Sequence, residues 1–149
     1  MKIEIKKAYI YDEVAKLCAY IGAKGGEYEK VSVTGDDTIL FDEWWNDACG
    51  DIIFIMKRWI TGFSPLAGHH DYFTGGTFAV ELYAPHLGGI AGDRILSASK
   101  GYLINRVASM WLAVTSPDKS GKYAANAVKN MADLNNIIYY RKKIKYEED

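Results

Sequence analysis

The chain has 149 residues, 49% of them hydrophobic and 25% charged, with a formal net charge of -1. That is enough for one compact domain, since a chain of this length buries roughly 70% of its unfolded surface. Near-neutrality excludes bulk electrostatic attraction to nucleic acid or to an anionic membrane, so either partner needs a local basic patch.

Lys2, Glu4 and Lys6 alternate with Ile3 and Ile5, a period of two that predicts a short strand with one buried face. A helix opening at Tyr11 or Asp12 follows, with Val14, Leu17, Cys18 and Ile21 on one stripe and Gly22 at its end. The glycine-bearing stretch 24–36 reads as a connection with one extended piece. Asp37 to Ile60 is the most hydrophobic segment. Phe41, Trp45, Ala48, Ile52, Ile55 and Trp59 make one stripe and Leu40, Trp44, Cys49, Ile53, Met56 and Ile60 a second beside it. Acids at 36, 37, 42 and 43 and Lys57 and Arg58 at the far end suit the helix dipole. So wide an apolar face predicts the centre of a bundle. Cys18 and Cys49 lie on apolar helical faces and read as reduced, since two cysteines do not make a disulfide scaffold.

Residues 62–88 form a loop-rich insertion. Within it Phe78, Val80 and Leu82 alternate with Thr77, Ala79, Glu81 and Tyr83 up to Pro85, which predicts a strand over 77–84. Its partner is left open between residues 2–6, residues 31–33 and a strand of another subunit. A third helix is predicted over about 93–114, with Leu96, Leu103, Ile104, Val107, Trp111 and Val114 inward. Ser116-Pro117 caps and starts a fourth, whose stripe is Ala124, Ala127, Val128, Met131, Leu134 and Ile138. The short join makes the last two helices antiparallel. The expected fold is therefore mainly α: one domain over 1–149, a four-helix bundle with a short amino-terminal strand and a strand-bearing insertion between helices 2 and 3. A basic, aromatic tail covers 139–149.

Motifs for chemistry are sparse. His69-His70-Asp71 and the later His86 lack the helical spacing that aims imidazoles at one ion, so no metal is expected. The acid pairs Asp36-Asp37, Asp42-Glu43 and Asp47/Asp51 read as helix-start charges, not as acid-base machinery. Gly88, Gly89 and Gly92 precede a helix but fit neither phosphate-loop pattern, and no serine or cysteine has the setting of a nucleophile. No cofactor and no catalysis are expected. Tyr139 to Tyr146 combines Arg141, Lys142, Lys143 and Lys145 with three tyrosines, a combination that suits a solvated helix end, a partner protein or nucleic acid. With no apolar run long enough for a signal peptide or a membrane span, the chain is expected in a cytosol.

The order of elements, together with AYIGAK, DDTILFDEWWNDACGDIIFIMKRWI, GYLINRVASMWLAVT and AANAVKNMADLNNIIYYRKKI, resembles small virion-associated proteins of phages and prophages of Bacteroides-type bacteria. More distantly it resembles the helical head-tail connector, or adaptor, family of tailed phages, from which the long 62–88 insertion departs. The resemblance covers nearly the whole chain. It implies a non-enzymatic virion subunit, assembled in the host bacterial cytoplasm as a ring at the neck, touching portal, neck or tail proteins and packaged DNA. On that reading Ile3, Ile5, Phe78, Val80 and Leu82 are the expected subunit interface, formed by strand pairing. Arg141, Lys142, Lys143 and Lys145 face another virion protein or the DNA passage. The alternative is a small cytosolic binding module or enzyme with its ligand near the glycine-rich 85–92 loop and the histidines.

Overall fold

A computed structural model describes residues 1–25, 33, 37–62, 72–87 and 89–139. It is a mainly α four-helix bundle with a two-stranded sheet. Strand β1 (Lys2–Lys6) runs without a loop into α1 (Lys7–Gly25), and α2 (Thr38–Met56) ends in a single 3-10 turn at Lys57–Trp59. After β2 (Thr77–Glu81) come α3 (Ala91–Thr115) and α4 (Pro117–Ile138), the last of the described elements.

Helix α1 begins earlier than the Tyr11 expected and passes through Gly22. The reason is its inward stripe: Ile10, Val14, Cys18 and Gly22, spaced by four, are all buried, so the helix gains a core contact in each turn from its first. Strands β1 and β2 pair antiparallel in the register Lys2↔Glu81, Ile3↔Val80, Glu4↔Ala79, Ile5↔Phe78, Lys6↔Thr77. Ile60 adds a bridge to Leu82, held by Thr61 N–H donating to Glu81 O (2.9 Å) and Tyr83 N–H donating to Trp59 O (2.7 Å). The strand of the insertion thus finds its partner inside its own chain.

One helix has the most neighbours. α3 packs on α4 along its length and also meets α1, α2 and β1, so it occupies the middle of the bundle. α2, expected there, packs mainly on α3 and touches α1 and α4 less. Its Phe41, Trp45, Ala48, Cys49, Ile52, Ile53 and Met56 are buried, while Leu40 is exposed and Trp44, Ile55 and Trp59 lie half-buried. The α3/α4 hairpin turns at Ser116, whose hydroxyl bonds Asp118 (2.9 Å). Gly101 makes the two helices' close approach possible, because an added Cβ would lie 2.7 Å from the Asn130 amide nitrogen. Asn105 and Asn130 meet there at 2.8 Å. With its amide nitrogen turned toward them, Asn130 donates to the carbonyls of Asn126 (2.8 Å) and Gly101 (3.2 Å). The expected α4 stripe is rotated: Ala127, Leu134, Ile137 and Ile138 are buried, Met131 is half-buried, and Ala124 and Val128 face outward, as does Val114 of α3.

Candidate functional site

The residues expected to join subunits belong to the core. Ile3, Ile5, Phe78, Val80 and Leu82 are each no more than 3% exposed and pack in one cluster with α1, α2 and α3. Alternation put them on one face correctly, but that face closes on the bundle, where each such side chain contributes roughly 1.5–3 kcal/mol by leaving water. The expectation of strand pairing between subunits is corrected accordingly: β2 pairs with β1 of the same chain. Arg141, Lys142, Lys143 and Lys145 lie outside the described residues, as do His69, His70 and Asp71.

The acids of α2 have structural partners. Asp42 accepts a short hydrogen bond from the Tyr11 hydroxyl and one from Lys7 Nζ (3.0 Å), tying α1 to α2. Asp51 accepts from the Tyr102 hydroxyl at 2.6 Å, tying α2 to α3. Desolvation pushes the Asp42 carboxyl up, but the bonds from Tyr11 and Lys7 and the Lys7 charge outweigh it and hold it below the usual range. Burial, then the hydrogen bond to a carboxylate, pushes both tyrosines above theirs. These are neutral donors pinned on anionic acceptors, a clamp and not an acid-base pair. The tyrosines went unnoticed in the sequence, and a tyrosine at helical spacing facing an acid on the next helix is the signal that would have found them. Burial also raises the Cys18 thiol to about 12 and the Cys49 thiol as well, so both stay protonated and unreactive. Among the described residues no three His, Cys, Asp or Glu side chains gather as metal ligands, and no helix is long and apolar enough to cross a membrane.

Two cavities share His86, at the end of the bundle where α2 and α4 finish and α3 begins. The larger, about 580 Å³, is lined by His86, Leu87, Gly89, Ile90, Ala91 and Arg94 on one side and Asp133, Asn136 and Ile137 of α4 on the other. The smaller, about 460 Å³, lies between the Arg58-to-Thr61 segment and Tyr83, Pro85 and His86. His86 is fixed between them, its Nε2 donating to Ile138 O (3.0 Å) and its ring 4.4 Å from that of Trp59. Trp59 in turn meets Tyr139 at 6.2 Å, whose hydroxyl donates to Ile55 O (3.2 Å). The loop singled out for a ligand in the alternative reading does border a cavity. Of the histidines, the described residues place His86 there.

The remaining feature is on the outside. Ile39, Leu40 and Phe54 of α2 are 76%, 45% and 62% exposed, on a face that also carries Glu43 and Asp47. On α4, Gly121, Ala125, Val128 and Ala132 make an exposed stripe beside Lys122 and Lys129. Comparison with family models, with curated proteins and with solved structures gives no significant match.

Proposed function

We propose that the protein is a non-catalytic structural subunit that assembles with copies of itself. The observation that carries this reading is the outer face of α2, where, among the described residues, Ile39, Leu40 and Phe54 stay exposed. The partner it fits is the outer face of α4 on a second copy. There the small residues Gly121, Ala125, Val128 and Ala132 leave room for large side chains, and Lys122 and Lys129 answer Glu43 and Asp47. Two different faces joined head to tail make a heterologous contact, which closes into a ring when the rotation per subunit allows. The tailed-phage neck is the setting the sequence resemblance implies for such a ring, and the basic segment Arg141 to Lys145 is then the element offered to another virion protein or to DNA.

Light scattering on the purified protein tests the assembly. The parent is expected to be oligomeric, and Ile39→Ser with Phe54→Ser to be monomeric with an unchanged circular dichroism spectrum. Glu43→Lys with Asp47→Lys should break the contact, and Lys122→Glu with Lys129→Glu in the same chain should restore it. A monomeric parent, or an oligomer indifferent both to Ile39→Ser with Phe54→Ser and to Glu43→Lys with Asp47→Lys, ends this reading.

A further inference from the structure

Because α3 and α4 run antiparallel from the turn at Ser116, the first turn of α3 lies beside the last turn of α4, and the larger cavity, about 580 Å³, sits between them. Its two walls differ in charge. Arg94 lines it from the start of α3, where the helix dipole is positive, and Asp133 lines it from near the end of α4, where the dipole is negative. Among the described residues neither side chain has an ion-pair or hydrogen-bond partner, and the two do not pair with each other. Much of the remaining lining is apolar: Leu87, Ala91 and Ile137 pack against the core, and Ile90 is 77% exposed. The volume falls within the roughly 300–1,000 Å³ usual for small-molecule sites.

These features select the occupant. An anion would be held by Arg94 but repelled by Asp133, and a cation the reverse. A purely apolar molecule would strip water from both charges and pair neither. A molecule carrying both charges meets each with its opposite and covers the apolar lining with its own body. We infer that this cavity binds a small zwitterion with an apolar side chain, an apolar amino acid or a short apolar peptide, its carboxylate on Arg94 and its ammonium on Asp133. The planar guanidinium of Arg94 suits the carboxylate because it can donate two parallel hydrogen bonds to it. None of these residues belongs to the α2 and α4 faces assigned to assembly, so this site and the assembly reading stand or fall separately.

The test is isothermal titration calorimetry of the purified full chain with leucine and with leucylleucine, beside N-acetylleucine, which lacks the ammonium, and leucinamide, which lacks the carboxylate. A zwitterion is expected to bind, and each single-charge analogue to bind about tenfold more weakly. The tighter of leucine and leucylleucine shows which source the cavity takes. Arg94→Gln should weaken binding of the zwitterion and remove its preference over leucinamide. Asp133→Asn should weaken it too and remove its preference over N-acetylleucine, a pairing of variant with analogue that a merely structural role would not produce. Both side chains are exposed, so the variants are expected to fold, which circular dichroism checks. Binding of neither zwitterion at millimolar concentration, an analogue bound as well as the zwitterion, or a preference unchanged in either variant overturns the inference.

Discussion

Helices α2 and α3 differ in how they use their surfaces. α3 is surrounded by α1, α2, α4 and β1, and polar residues such as Ser99, Tyr102 and Ser109 are enclosed along with its apolar ones. α2 is the more apolar helix, yet it packs mainly on α3, touches α1 and α4 less, and leaves Ile39, Leu40 and Phe54 exposed. Centrality in this bundle therefore follows from how many neighbours a helix has and not from how hydrophobic it is. A helix with more apolar surface than neighbours has a face left over, and that surplus is the basis of the assembly proposal.

The largest effect is expected where the two helices share the core. Trp45 of α2 is 1% exposed, so Trp45→Ala should cost about 3–5 kcal/mol, enough to unfold a marginal domain. Trp59→Ala, from a half-buried ring against His86, should cost clearly less. Urea melts of the two variants compare them directly, and equal costs would show that Trp59 is as deeply enclosed as Trp45. A smaller contrast comes from two glycines inside helices. At Gly101 of α3 a new side chain meets Asn130, so Gly101→Val should destabilise by about 1–3 kcal/mol. At Gly50 of α2 an added Cβ meets nothing within 4 Å, and Gly50→Ala should stabilise by about 0.5–1 kcal/mol. Thermal melts that reverse these signs would reverse the roles assigned to the helices.

The smallest effect concerns the clamps. The folded state holds Asp42 below its unfolded carboxyl range, so its contribution is present above the unfolded value and is lost as pH falls through the folded one. With the Asp42 side chain 51% exposed, the loss should stay near the roughly 0–1 kcal/mol of a surface pair. Asp42→Asn should remove that part of the acid dependence of the urea midpoint. The raised Tyr11 and Tyr102 act at the other limb: their contribution is present below the unfolded tyrosine value and is lost as pH rises through the folded one. Tyr102→Phe should accordingly flatten the alkaline fall in stability.

Much of the fold is legible in local pattern. Alternation marked Ile3 and Ile5 and then Phe78, Val80 and Leu82 as single faces, and Ser116-Pro117 marked the turn between α3 and α4, because strand period and helix starts are set by residues a few positions apart. The four helices and their order follow from the same local rules. Tertiary structure decided which apolar faces were shared. β2 could pair with several edges, and the packing of Ile3 and Ile5 against the same core selected β1. α3 became the central helix because α1, α2, α4 and β1 all close on it, and the stripe of α4 turned so that Val128 faces out and Ile137 in. The Tyr11–Asp42 and Tyr102–Asp51 clamps, and the two cavities that share His86, join residues dozens of positions apart. Periodicity shows that a residue has an inward face, whereas the neighbour it meets depends on how separate elements share a limited interior, which no local window contains.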